Sequence, residues 1–235
     1  MNRELDFIKE MFDSIAPRYD FLNRFLSLRQ DVLWRREMVA AAGITSESSI
    51  LDVACGTCDV GLEIRKQAGT TPLIFGTDFS PGMLALGRKK VQSLDRMGPI
   101  PLAAGNALCL PFKDQHFNAV MIAFGIRNIM DRTGALSEFH RVLKPGGRLA
   151  VLELTTPEQG LFREFYLAYF KRILPALGGL FSKNANAYQY LPASVLRFPA
   201  PEQFALLMKQ AGFTGLRWKP MTLGIVTLFV GTRSR

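Results

Sequence analysis

Two thiols and two carboxylates crowd into Leu51-Asp-Val-Ala-Cys-Gly-Thr-Cys-Asp-Val60, and they could serve two unrelated chemistries. Cys55 and Cys58 form a Cys-x-x-Cys, the spacing of a redox pair or of half a zinc site. Zinc asks for about four ligands, and the other candidates, Cys109, His116 and His140, have no paired ligand spacing. A thiolate at a helix N-terminus is acidified. Asp59 beside Cys58 works against that, and the surrounding order of elements is not the thioredoxin one. The expectation is therefore no metal and no redox role, with both cysteines serving as small residues that let a ligand approach the backbone.

The second chemistry is that of a nucleotide loop. The positions that would be glycines in a dinucleotide fingerprint read Ala54, Gly56 and Asp59. Gly56 can adopt positive φ without steric cost, but Asp59 enters the helix where a pyrophosphate would sit and repels it. NAD and ATP are disfavoured on that ground. An adenosyl ligand without phosphate removes the conflict, and S-adenosylmethionine carries an ammonium and a sulfonium that Asp52 and Asp59 would attract. Asp78 closes the next apolar run, where a carboxylate can accept both ribose hydroxyls. Gly105-Asn-Ala107 then offers the Asn106 amide and the Ala107 backbone N–H to an adenine edge.

Such a site needs strand ends to hold it. Apolar runs over 49–54, 72–77, 99–104, 117–123 and 148–154 predict strands, and the patterns at 60–67 and 133–143 predict helices between them. Ser80-Pro81 is an N-cap followed by a proline at the first helical position, and Lys144-Pro-Gly-Gly147 is expected to close the preceding helix and turn the chain. The alternation implies an α/β fold, a mostly parallel sheet with helices on both faces. A last helix over 201–210 and strands over 213–219 and 223–231 complete it. Residues 1–43 read as a helical lead-in and 161–198 as a helical, aromatic-rich insertion. Together they are expected to cap the strand ends of a single domain spanning 1–235.

Composition narrows the setting. The 235 residues are 48% hydrophobic, enough for one large core, and three cysteines do not make a disulfide framework. Charged residues near Met1 do not suit a signal peptide, and no uncharged apolar run reaches the roughly 18 residues of a membrane span. The expectation is a cytoplasmic protein, with a peripheral place at the inner face of the membrane as the variant. A net charge of +9 favours an anionic surface, but the basic residues are spread along the chain. Within 161–174, Arg163, Glu164, Lys171 and Arg172 share one half of a helical projection, and Phe162, Phe165, Tyr166, Tyr169, Phe170 and Ile173 cover most of the rest. Such a face could pack in the core, line a lipid channel or lie in a membrane interface.

Several strings taken together carry a family likeness: Phe12-Asp-Ser-Ile-Ala-Pro-Arg-Tyr-Asp20, Val53-Ala-Cys-Gly-Thr57, Asn106-Ala-Leu-Cys-Leu-Pro-Phe112, Phe124-Gly-Ile-Arg-Asn128, Arg141-Val-Leu-Lys-Pro-Gly-Gly147 and Tyr188-Gln-Tyr-Leu191. The chain resembles the C-methyltransferases of menaquinone and ubiquinone biosynthesis over nearly its whole length. The resemblance implies a seven-stranded, Rossmann-like class I methyltransferase fold, S-adenosyl-L-methionine as cofactor, and a prenylated quinol as acceptor. It places cofactor contacts on Thr57, Asp78, Asn106 and Ala107. Cys58 departs from a frequent glycine and Ala123 from a frequent serine. Methylating a ring carbon beside a phenol needs electron density there, so a phenolate must be stabilised. Arg127 is the candidate catalytic group, stabilising the phenolate or orienting a water that takes the proton, with Asn128 and Tyr19 completing the hydrogen-bonding set; an ion pair tying cap to core is its structural alternative. A nucleic-acid partner is not expected, because no Asn/Asp-Pro-Pro-aromatic motif is present; a homodimer is compatible with the chain. The competing readings are a methyltransferase for another phenolic or lipid acceptor, and a non-catalytic adenosyl-ligand or RNA binder on the same fold.

Overall fold

The computed structural model describes residues 3–94, 98–157, 161–168 and 185–234. Two helices, α1 (Arg3–Leu26) and α2 (Gln30–Ala41), lead into β1 (Ser49–Val53), α3 (Asp59–Ala68), β2 (Leu73–Asp78), α4 (Pro81–Gln92) and β3 (Leu102–Ala104). Then follow β4 (Phe117–Ala123), a short 3₁₀ turn (Ile126–Asn128), α5 (Arg132–Val142) and β5 (Leu143–Leu154). After α6 (Leu161–Ala168) and α7 (Ala185–Leu196), the chain ends with α8 (Pro201–Gln210), β6 (Phe213–Met221) and β7 (Val226–Arg233).

The strands form one seven-stranded sheet in the order β3-β2-β1-β4-β5-β7-β6. All its pairings are parallel except those of β7, which runs antiparallel to both β5 and β6. Side chains alternate between two cores, as the period of a strand requires. Ile50, Met121, Ala150, Leu152 and Leu228 meet Trp34 and Met38 of α2 and Ile64 of α3 on one face. Leu51, Val120, Ile122, Leu149 and Val151 meet Phe139 of α5 and Phe204 of α8 on the other. Burial on both faces explains why the strands read as continuous apolar runs. Chain order reverses between β1 and β4, so the crevice beyond their carboxyl ends is where such a sheet takes a ligand.

Local chemistry sets the helix starts. The Ser80 hydroxyl accepts the Met83 N–H at 3.1 Å, with Pro81 in the first turn, and Asp131 accepts the Gly134 N–H at 2.8 Å at the start of α5. Three expectations need correction. The strand expected at 99–104 is β3 alone, because Pro99 and Pro101 bring no N–H to a ladder. Lys144-Pro-Gly-Gly147 does not close α5, which has ended at Val142; it bulges within β5, between the pairings Phe117↔Leu143 and Ala119↔Arg148. The last strand starts at Val226, because Thr222–Gly224 forms a 3₁₀ turn with Leu223 at φ 57°.

Candidate active site

The loop after β1 alternates into the left-handed region: Ala54 at φ 52°, Gly56 at φ 54° and Cys58 at φ 69°. Only Gly56 does so without strain. Cys58 therefore occupies a position whose backbone suits glycine, and its buried side chain compensates by filling the space between α3 and Ile100. Burial raises the thiol pKa at both Cys55 and Cys58, with Asp52 adding to it, so both are protonated and inert at neutral pH. Among the described residues no group of three or more His, Cys, Asp or Glu could hold a metal ion.

Asp78 binds this loop to its own strand end. Its Oδ2 accepts the Gly56 N–H and its Oδ1 the Ser80 N–H, both at 2.8 Å. Burial raises its pKa, and those backbone donors oppose the rise. A carboxylate has further lone pairs, so two hydroxyls can still be accepted there. Asn106, exposed beyond β3, accepts the Leu108 N–H at 3.0 Å and so shapes the turn holding Ala107. Asp52 lies beneath the loop, 1% exposed, and neither carboxylate oxygen has a hydrogen-bond partner among the described residues. Burial drives its pKa well up, with the Asp78 charge reinforcing it. A buried carboxyl with no partner, beside a loop that lets backbone approach, suits a cationic adenosyl ligand.

Asp59 and Thr57 have partners that sequence reasoning did not find. Asp59 is held by Lys90 of α4, by Arg24 of α1 at 3.0 Å and by Arg35 of α2 at 3.3 Å. Burial works to raise its pKa, but these three cations prevail and bring it down to about 2. Its charge is thus spent on fastening the lead-in helices. The Thr57 hydroxyl donates to Asp20 of α1 at 2.6 Å, and Lys90 bridges Asp20 at 2.6 Å and Thr57 at 3.3 Å. Further up α1, Asp13 accepts the Ser80 hydroxyl and the Gly82 N–H, the latter at 2.9 Å. One edge of α1 therefore grips both the β1 and β2 loops.

The opposite face of α1 lines a cavity of about 240 Å³ with Met11, Phe12, Ile15, Tyr19, Leu22 and Leu26. Trp34, Phe124, Leu154, Tyr166, Tyr190, Leu191 and Arg127 complete most of its wall. Phe124 has φ 58°, an outlier for a bulky residue, and lies against Trp34 with ring centroids 6.1 Å apart. Gly125 next to it admits the β1 loop: a Cβ there would come 2.7 Å from that of Ala54. These two residues start the turn that carries Arg127 and Asn128.

Arg127 is 8% exposed and pairs with Glu153 of β5 at 2.8 Å, an ion pair between two strand ends of the core and not the cap-to-core pair expected as its structural alternative. Nη1 also donates to the Phe124 carbonyl, while Nε is buried with no hydrogen-bond partner among the described residues. Burial acts to lower the Arg127 pKa, and Glu153 together with Tyr19 and Tyr190 more than offsets it, keeping the guanidinium charged. Tyr19 faces the same cavity; burial raises its pKa against a hydrogen bond with Asn23 and the Arg127 charge, so it is a neutral phenol. Asn128 accepts the Tyr190 hydroxyl at 3.1 Å, joining the turn to α7. Arg127 and Tyr19 thus meet at one cavity, Asn128 stands beside it, and the cofactor candidates lie on the adjoining loops.

Glu153 went unnoticed in the sequence although it has a signal, a lone acid in the apolar run Leu149-Ala-Val-Leu-Glu-Leu154. The aromatic face expected over 161–174 is described only to Ala168: Tyr166 is buried at the cavity, and Arg163 and Glu164 are exposed. Tyr169, Phe170, Lys171, Arg172 and Ile173 lie outside the described residues.

The model of the ubiE/COQ5 methyltransferase family matches residues 1–233. A protein of Geobacter sulfurreducens named ubiquinone/menaquinone biosynthesis C-methyltransferase UbiE is 49% identical over 226 residues, 96% of this chain and 88% of that one. The demethylmenaquinone methyltransferase of Thermus thermophilus is 47% identical over 223 residues, 95% of this chain and 100% of that one. Among solved structures, an S-adenosylmethionine-dependent methyltransferase of Thermotoga maritima superposes with a TM-score of 0.69 at 19% identity, covering 96% of this chain and 99% of that one. At that identity the likeness speaks for the fold.

Proposed function

The chain belongs to the ubiE/COQ5 methyltransferase family, and from that premise we propose how its residues methylate a prenylated quinol. It is an S-adenosylmethionine-dependent C-methyltransferase of quinone biosynthesis. Both named relatives act in menaquinone synthesis, which favours demethylmenaquinol as the acceptor, with the ubiquinol-pathway ring as the alternative. Thr57, Asp78, Asn106 and Ala107 hold the cofactor with Ala54 and Gly56, and Asp52 faces its cationic end. Bound there, S-adenosylmethionine supplies an electrophilic methyl group. The remaining tasks fall to the protein: orienting the ring, excluding water and stabilising negative charge on the phenol oxygen.

The observation that carries this reading is a charged Arg127 on the wall of a mainly apolar cavity that a neutral Tyr19 also lines. An arginine in that setting keeps its proton, so it stabilises a phenolate and does not act as the base. Tyr19 donates a hydrogen bond to the same oxygen, and Asn128 steadies the turn through Tyr190. Apolar residues of α1, α6 and α7 receive the ring and the start of its tail. In this reading the described parts of 1–43 and 161–198 act as a cap of one domain; residues 169–184 lie outside the described residues.

No described helix is long and apolar enough to cross a membrane. A lipid acceptor nevertheless calls for contact with the inner membrane surface, and the outer side of α1 supports it. Phe21 and Phe25 stack there, 66% and 53% exposed, and Leu28 is 81% exposed, on a chain of net charge +9. The test is transfer of a labelled methyl group, in detergent, to reduced demethylnaphthoquinol and to a prenylated benzoquinol that lacks its ring methyl. Labelled naphthoquinol product is expected, and S-adenosylmethionine binding without transfer to either ring overturns the reading.

A further inference from the structure

We propose that Glu153 is the positioning residue of Arg127, aiming the guanidinium at the cavity and setting how much of its field reaches the acceptor oxygen; this rests on the role given to Arg127 above. Glu153 is fully buried near the end of β5, and its carboxylate holds Arg127 at both ends. Oε2 accepts the Arg127 backbone N–H at 3.0 Å, while Oε1 accepts the guanidinium Nη1 and the Leu154 N–H, each at 2.8 Å. The guanidinium cannot swing without breaking a charge-assisted bond and stranding a buried anion. The same grip closes the turn onto β5, and Gly125 in that turn abuts Ala54 of the cofactor loop. Aim at the acceptor and contact with the cofactor loop thus share one support.

Glu153 also tempers what it aims. A carboxylate 2.8 Å from the guanidinium turns a bare positive charge into a near-neutral pair, so the cavity sees a reduced field. Other groups face the pair from every side: Tyr19 of α1, Tyr190 of α7, and Arg132 of α5, whose Nη2 donates to the Arg127 carbonyl at 3.2 Å. Arg35 of α2 and Asp78 act on Tyr19 from further off. Among the described residues, the guanidinium is bonded to the Glu153 carboxylate and to the Phe124 carbonyl.

The experiment measures kcat and KM for the reduced quinol from about pH 5 to pH 9, with cofactor affinity by calorimetry. Glu153→Gln is expected to lower kcat by roughly 10- to 100-fold through lost aim, while cofactor affinity holds within about twofold. The acid limb of kcat, set by phenolate formation, moves to lower pH in Glu153→Gln because Arg127 is no longer compensated. In Arg127→Gln it moves to higher pH. The double variant should lose no more than Arg127→Gln alone, since a positioning residue has nothing left to position. A Glu153→Gln profile superimposed on the wild type overturns the inference, as does a double variant whose loss is the product of the two single losses. If Glu153→Gln does not fold, the double variant, with its neutral pair, decides: an acid limb at the Arg127→Gln position sustains the inference, and a wild-type limb overturns it. Wild-type protein that binds cofactor yet transfers no methyl group would instead sink the functional reading on which this rests.

Discussion

The two walls of the site are built on opposite principles. The loop wall, Ala54 to Asp59 with Asp78 and Asn106, uses backbone donors and short polar side chains within a few residues of a strand end. The cavity wall is made of large apolar side chains from α1, α2, α6 and α7, positioned by packing across the whole chain. In the proposed function the first wall recognises the cofactor by placing hydrogen bonds, and the second excludes water and sets the paired guanidinium of Arg127 among apolar side chains, with Asp31 also on that wall. Cofactor binding and turnover should therefore be separable by substitution, and each prediction below attacks that separation.

The largest effect is expected on the cavity wall. Arg127→Ala should lower kcat by about 10²- to 10³-fold while leaving cofactor affinity nearly intact; calorimetry and single-turnover assays read the two quantities. A matching loss of cofactor affinity would merge the two walls. Asp78→Ala should do the reverse, weakening cofactor binding on the order of 100-fold through lost charge-assisted hydrogen bonds. Wild-type affinity in that variant would remove Asp78 from the ribose role.

Asp59 belongs to the loop by sequence but serves the cap, and its substitution should report as stability. The carboxylate pKa falls from 3.8 to about 2 on folding, which corresponds to about 2 kcal/mol. For an acid with a depressed folded value, that stability is present above pH 4 and is lost as pH falls toward 2. Asp59→Asn should therefore lower the urea midpoint at pH 7, and the gap to wild type should close in acid. A constant gap would mean the cations do not act through its charge. Next in size, Ile15→Phe fills the cavity and should raise KM for the quinol about tenfold, within the roughly 1–3 kcal/mol of overpacking, with cofactor affinity unchanged. Smallest is Cys58→Gly: relief of about 1 kcal/mol of left-handed strain opposes loss of a buried side chain, so chemical denaturation should shift by less than about 1 kcal/mol.

The same contrast explains what could be read beforehand. Strands β1, β2 and β4, and the Ser80-Pro81 helix start, rest on local period and capping, and they appear almost where patterning put them. The loop acids were also visible, because a strand-end carboxylate sits in its own sequence context. Which partner each acid takes was not: Asp59 meets Arg24 and Arg35 from α1 and α2, and no short-range rule relates them. Glu153 was hidden for the same reason, as its partner lies on a different strand end. The Lys-Pro-Gly-Gly motif misled because glycine and proline announce irregular backbone without saying whether a helix stops there or a strand bulges.

The carboxylates of α1 have one more consequence, and it concerns synthesis. Asp20 bonds Lys90, 70 residues further along the chain, and Asp13 bonds Gly82, 69 residues further. At about 5–20 residues per second, α1 leaves the ribosome several seconds before Gly82 and Lys90 exist. During that interval an apolar helix face, later the wall of the cavity, stands uncovered. The helix that completes the site is thus the segment most in need of a chaperone, or of an early membrane surface, while the rest of the chain is made.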